Sequence, residues 1–176
     1  GLSLDALAAT SGVSRSMISL IERGESSPTA VVLEKLASGL GVVLPALFDA
    51  TAVEMGVQRR PLARRADQSA WRDPASGYVR RNVSPPGASP FSIVEVSFPS
   101  GGRVAFENGA SALRVHQQVW VLEGKLDVTV GDERHRLEPG DCLAMELDRP
   151  TLFHNPKHKA TRYAVVMTSE TAGGRR

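Results

Sequence analysis

The hydrophobic spacing changes period once along the chain, and that change restricts the fold to two unlike parts. Over residues 1–50 apolar residues recur three and four apart. They are interrupted at Gly12, Gly24, Gly39 and Gly41 and at one Pro28-Thr29 junction. This is the pattern of short amphipathic helices. From residue 83 onward the apolar residues come in short runs instead: Phe91 to Phe98, Val119 to Val130 and Ala164 to Met167. Ser100-Gly101-Gly102, Glu123-Gly124, Gly131-Asp132 and Pro139-Gly140-Asp141 separate them, as turns separate strands. The predicted class is α + β in two domains, an N-terminal all-α bundle and a C-terminal all-β antiparallel sandwich or barrel. Residues 1–50 form the first domain and 83–170 the second. Residues 51–82 read as an Arg-rich linker with room for the first barrel strands, and 171–176 as a frayed tail. No internal repeat is visible.

Composition removes several classes. The chain has 176 residues, 41% apolar and 23% charged, which is ordinary globular usage. No run approaches the roughly 18 apolar residues of a membrane helix. The first residues show no basic stretch followed by an apolar run, so no secretory leader and no membrane partner are expected, and the predicted location is the cytoplasm. One cysteine, Cys142, excludes an internal disulfide and a multi-cysteine zinc site. It follows Asp141 in an apolar run and is expected to be a buried small hydrophobe. Aromatics at 5% argue against a base-stacking sheet.

The formal charge of +2 conceals a division. Residues 1–50 carry three basic and five acidic side chains, residues 51–82 seven against three, and residues 83–176 eleven of each. The excess lies in the middle, at Arg59-Arg60, Arg64-Arg65, Arg72 and Arg80-Arg81. For Arg59-Arg60 and Arg64-Arg65 two readings stay open. They add phosphate contacts, or they alternate along an edge strand of the barrel and pair with its carboxylates.

In the helical part Ser3 can cap a first helix with Asp5 in its first turn. Gly12 makes a turn, and Ser14 caps a second helix, Arg15 to Arg23, that Gly24 stops. Ile18, Ile21 and Val13 face inward, leaving Arg15, Ser16 and Ser19 outward. Ala8 provides the small residue where two helices cross. A third helix, Thr29 to Leu40, carries Leu33, Leu36, Ala37 and Leu40 on one stripe, and a short fourth lies around Leu44 to Phe48. The phrase SGVSRSMISLIERGESSP within these residues resembles the recognition helix and following loop of the lambda-repressor-like (XRE) helix-turn-helix family. Family members have a further, usually basic, helix before this point, so a preceding segment is expected to be missing from this chain. The resemblance implies operator DNA as partner and the second helix as the one entering the major groove. Arg15 then makes a bidentate contact to guanine, worth about 1 to 3 kcal/mol of discrimination. Ser14, Ser16 and Ser19 reach bases or phosphates, and Leu20 a thymine methyl. Ser3, Arg23, Ser26, Ser27 and Thr29 suit phosphates. The simpler reading is a solvated helix face.

In the strand part VWVLEGKLDVTVGDERHRLEPGD and DRPTLFHN resemble the small cupin family, a jelly-roll barrel. Metal-binding cupins hold their ion with a His-x-His pair, a Glu and a late His. Carried onto this chain, those positions are Ser111 and Leu113, Gln117, and Thr151. No ligand residue occupies them, so no metal and no other cofactor are expected. His116 and His154 are expected to point outward by strand alternation, and His135 and His158 sit in turn-like sequence. What remains is a lumen lined by Gln117, Val119, Val121, Met145, Thr151, Phe153, Ser111 and Leu113. It is either packed full or open to one small ligand. Regulators joining these two domains generally sense a metabolite, so the resemblance implies an effector held by Gln117 and Thr151 in an apolar cup. Trp120, of opposite parity, is expected outward at a sheet or subunit contact. The resulting reading is a homodimeric transcription regulator, not an enzyme. The alternatives are a metal-dependent cupin dioxygenase or isomerase with an accessory helical domain, and a regulator whose cupin only dimerises.

Overall fold

The computed structural model describes residues 2–48, 61–86, 90–108 and 113–171. The helical part contains α1 (Leu4–Ser11), α2 (Arg15–Glu22) and α3 (Ala30–Leu40), and residues 44–48 are helical as α4. Each of the first three starts on a hydroxyl cap. Ser3 accepts from the Ala6 N–H, Ser14 from Met17 and Thr29 from Val32, which satisfies donors that have no intrahelical partner. Gly12 ends α1 at φ 68°, a left-handed conformation that side chains with a Cβ resist. Val13, Ile18 and Leu36 are buried together, with Leu4, Leu7, Ala8 and Ile21 packed on them. Leu33 and Ala37 turn to a second cluster with Leu44. Leu40, expected on the same stripe, is 42% exposed, because the helix ends there and its last turn passes the edge of the bundle.

Among the described residues the strand part has ten strands in two antiparallel sheets. β1 (Ala70–Arg72), β2 (Val79–Asn82), β3 (Ser92–Phe98), β5 (Leu113–Glu123), β8 (Cys142–Glu146) and β10 (Thr161–Thr171) form one, in the order β1-β2-β3-β10-β5-β8. β4 (Arg103–Phe106), β6 (Leu126–Val130), β7 (Glu133–Leu137) and β9 (Thr151–His154) form the other, in the order β4-β9-β6-β7. Val94, Val96, Phe98, Val119, Val121 and Val165 of the larger sheet pack on Val104, Leu126, Val128, Val130 and Phe153 of the smaller. Period-2 alternation supplies both inner faces. At Gly124 the backbone has φ 81°, and an added Cβ would lie 2.6 Å from Thr161 Oγ1. Thr161 needs that approach, since its hydroxyl donates to the Lys125 carbonyl at 2.7 Å. In the Pro139-Gly140-Asp141 turn the Asp141 carboxylate accepts from the Glu138 N–H, the role its turn position implies.

β1 and β2 arise within the Arg-rich stretch. Arg81 pairs with Glu95 on β3 at 2.6 Å and donates to Gln68, and Arg72 donates to the Gly77 carbonyl. Arg64 and Arg65 are exposed at a short 3-10 turn, and Arg59 and Arg60 lie outside the described residues. Cys142 is exposed, against the expectation of burial. β8 alternates, and Leu143, not Cys142, has the inward parity.

The two parts are joined through α3. Ala30 is 1% exposed and belongs to the core of the sandwich, with Val31 packed beside it. Asp73, 2% exposed, accepts from the Ala30 N–H at 3.0 Å. A carboxylate of the β domain thus meets an orphan donor and the positive end of a helix of the other. Lys35 bonds Glu107 at 3.0 Å across the same junction. Seven of the nine aromatic residues form a continuous ladder through it, Phe48–Trp71–Tyr78–Phe98–Tyr163–Phe153–Phe106, with neighbouring ring centroids 5.8 to 6.3 Å apart. The few aromatics are spent on this seam.

Candidate DNA-reading face and effector cavity

α2 is amphipathic. Ile18 is buried, while Arg15 and Ser16 are exposed and Ser19 is half-buried. Arg15 approaches Asp5 at 3.4 Å with both side chains largely in water, an ion pair weak enough to exchange for a base edge. Ser14 caps the helix and shares a hydrogen bond with Ser16, keeping its hydroxyl at the helix start. The Ser19 hydroxyl accepts from Arg23, whose guanidinium also donates to both Glu25 oxygens at 2.8 and 3.0 Å. Arg23, expected at a phosphate, forms this ion pair with both side chains about half in water. Hydrogen bonding to Glu25 raises the Arg23 pKa and lowers that of Glu25. Leu20 is half-buried and Ser27 exposed. Ser26 lies 3.9 Å from the Met17 sulfur. Met17, on the outer side of α2 and 36% exposed, is an apolar groove-facing candidate that polarity-based reading passed over. Ser3 and Thr29 act as caps, which still leaves each hydroxyl a proton to donate.

Between α3 and the sandwich lies a cavity of about 400 Å³. Of the residues expected in the lumen, Leu113, Gln117, Thr151 and Phe153 line it. Val119 and Val121 are fully buried and Met145 is half-buried against the core, but none of the three lines the cavity. Val119 and Val121 have the right parity and the wrong depth: inward residues of β5 line the cavity from Leu113 to Gln117, and Val119 and Val121 lie farther along, in the core. Met145 pairs with Gln117 on β8, at the edge of the larger sheet. Ser111 lies outside the described residues. Gln117 is 8% and Thr151 3% exposed. Thr151 accepts from the Asn108 amide at 3.0 Å.

Several lining residues were not legible. Arg80 comes from β2 and Tyr78 from the residue just before it, both in the stretch read as linker, Tyr163 from β10, and Glu34 and Lys35 from α3. Arg80 is 7% exposed. Burial lowers its pKa, opposed by Tyr78, Glu34 and Tyr163, and a guanidinium stays charged under such a shift. Burial also raises Glu34, offset by Arg80, and pushes Tyr78 up to about 12 and Tyr163 higher still. Both phenols are therefore neutral hydrogen-bonding groups.

The cupin metal positions carry an amide, a hydroxyl and an aliphatic side chain at Gln117, Thr151 and Leu113. That donor set does not suit a dication, which takes imidazole, carboxylate or thiolate. His116 lies instead between Glu146 at 3.7 Å and Glu170 at 3.3 Å, and His154 is 3.9 Å from Asp127. Among the described residues no group of three or more His, Cys, Asp or Glu is placed to hold a metal.

A capped helix pair with an exposed polar face, fastened to a two-sheet sandwich that encloses a cavity, defines a helix-turn-helix protein with a cupin domain. Comparison with known proteins agrees. Residues 1–47 match the helix-turn-helix family HTH_3 and residues 102–167 the cupin domain family Cupin_2. The HTH-type transcriptional regulator SutR of Escherichia coli is 29% identical over 162 residues, covering 88% of this chain and 80% of that protein. The crystal structure of an HTH_3 family transcriptional regulator from Vibrio cholerae aligns with TM-score 0.74 at 27% identity, over 96% of this chain and 87% of that one. The chain is thus a DNA-binding transcriptional regulator in which an XRE-type helix-turn-helix domain is followed by a cupin domain.

Proposed function

We propose that this regulator binds operator DNA as a homodimer, through Arg15, Ser16 and Ser19 of α2, and that its cupin cavity binds a small-molecule effector without a metal. Its place of action is the cytoplasm, where its DNA partner lies. Regulator relatives support this reading, and none of the described helices is long and apolar enough to cross a membrane. The observation that carries the reading is the double role of α3. One side packs the recognition helix through Leu36, and the other roofs the cavity through Val31, Glu34 and Lys35. A ligand there touches the helix that holds the DNA reader. It shifts operator affinity only as far as its own affinity differs between the two placements of that helix. No catalysis is assigned: the positions that hold a metal in cupin enzymes lack ligands, and the reading is of a sensor.

Selection of bound duplexes from a randomised library tests the DNA reading. Enriched sequences should form an inverted repeat with half-sites about 34 to 36 Å apart, or a multiple of that. Binding that stays indifferent to sequence at physiological salt rejects it. Metal analysis of protein purified without chelator tests the rest, since one equivalent of Fe, Mn, Ni or Zn per chain sinks the metal-free cavity.

A further inference from the structure

Among the described residues that line the cavity, Arg80 is the buried charged side chain, and its state is unusual. Its Nε and Nη2 atoms are shut off from solvent and have no hydrogen-bond partner among the described residues. The two belong to the same edge of the guanidinium, where N–H bonds run parallel and fit the two oxygens of one carboxylate. Leaving the donors of a buried cation unmatched is costly, so a folded chain retains them where something external completes them.

The neighbours complete Arg80 only in part. Tyr78 accepts a hydrogen bond from the guanidinium but leaves Nε and Nη2 unmatched. Glu34 acts on Arg80 electrostatically without forming a direct ion pair, and Lys35 is already committed to Glu107. Arg81, the next residue, shows how this strand satisfies an arginine when the role is structural: it faces the other way and holds Glu95 and Gln68. Asn82, two residues on and of the same parity as Arg80, also has an unmatched amide nitrogen, although it does not line the cavity. The remaining wall is largely apolar, with Val96, Phe98, Phe153 and Met167 around the neutral Tyr78 and Tyr163.

Building on the effector reading above, we infer that the cavity takes a small organic carboxylate with an apolar body, seated bidentately on the Nε–Nη2 edge of Arg80. The about 400 Å³ suits a molecule of roughly ten heavy atoms or somewhat more, given the pocket sizes that enclose small ligands. Glu34 lies on the roof helix in the same cavity, so a bound anion repels it, and the ligand charge is felt directly by α3.

The test uses the full chain and four probes: benzoate and hexanoate, each against its primary amide, titrated while the unfolding midpoint is followed. A ligand that binds only the folded state must raise it. The expected result is a saturable rise with the carboxylates, little or none with the amides, and loss of the rise in Arg80→Met. That variant should melt no lower than the parent without ligand, because it removes an unmatched buried charge. Arg80→Lys keeps the charge without the two-donor edge and should bind the carboxylates at least tenfold more weakly, which supplies a second readout should the Met variant not fold. Equal stabilisation by acid and amide, or a full carboxylate response in either variant, overturns the Arg80 anchor while leaving the effector cavity standing. Silence of all four probes overturns both.

Discussion

Arg15 stands at the first position of α2 with its guanidinium in water and only Asp5 nearby. Arg15→Ala should therefore leave the fold unchanged and weaken specific binding by about 1 to 3 kcal/mol. In a mobility-shift titration, preference should relax at one base position. Unchanged affinity with unchanged preference removes Arg15 from the reading face. Asn155 is the opposite case. It is 0% exposed, its amide donates to the carbonyls of Phe98, Pro99 and Lys159, and its oxygen accepts from Lys157. Asn155→Ala should cost on the order of 2 to 4 kcal/mol in denaturant unfolding, since it leaves several buried partners unmatched. Asp127 predicts a pH effect. Burial raises its pKa, but hydrogen bonds from Arg134 and Arg136 outweigh that and hold it below the usual value. A depressed folded-state pKa stabilises above about pH 4 and is lost as pH falls through it. Asp127→Asn should accordingly lose less stability than the parent between pH 4 and pH 2. An equal loss in both proteins denies the carboxylate that role. At this scale Gln117 and Thr151 were legible because their strand positions follow the turn pattern of the cupin resemblance. Arg80 was not: within β2 the residue of like parity is the polar Asn82, so no apolar alternation marked the face as inward.

The elements differ in legibility for a physical reason. α1 and α2 announce themselves through local chemistry, a hydroxyl cap at the start and a glycine near the end. β1 and β2 have no such signal. They are short, Arg-bearing strands: β2 pairs with β3 at Val79–Ser97, Arg80–Val96 and Arg81–Glu95, and among the described residues β1 pairs only with β2, tertiary events that the local sequence does not encode. Nor was the double duty of α3 visible. Its stripe was read as facing one core, yet Ala30 and Val31 serve the sandwich while Leu33, Leu36 and Ala37 serve the bundle. Gly39 was read as a helix stop and lies within α3. A Cβ there would meet the Ser11 Cβ at 2.8 Å and the Ser11 backbone at 3.0 Å, so the glycine sets how closely α1 and α3 approach. Gly39→Ala gains helix propensity but must push α1 outward, and overpacking of this kind generally costs about 1 to 3 kcal/mol. The expected outcome is a lower midpoint for the helical domain, followed by thermal denaturation. A midpoint at or above the parent's means that the contact relaxes without cost.

For the whole molecule, two unlike parts follow from the change of hydrophobic period, but the way they share one cavity does not, because it depends on residues 34 and 80 lining the same cavity from α3 and β2. Symmetry adds the remaining requirement. A single helix-turn-helix module reads few bases, and two copies related by a two-fold axis read a palindrome. The outer face of the larger sheet offers a surface for that axis. Trp120 is 49% and Ile93 40% exposed. Ala164 stands opposite Trp120 and Val166 opposite Ile93, on the strand between theirs, so the apolar groups are contiguous across β3, β10 and β5. Aromatic residues exposed in such a patch are the usual anchors of a subunit contact. Trp120→Glu places a charge at the centre of that patch and leaves the buried inner face of β5 untouched. Sedimentation should show the parent chain as a dimer and the variant shifted to monomer, with operator binding weakened at least tenfold while each barrel still unfolds cooperatively. If the variant stays dimeric at the same concentration, the two-fold axis lies on another face, and the search moves away from this sheet.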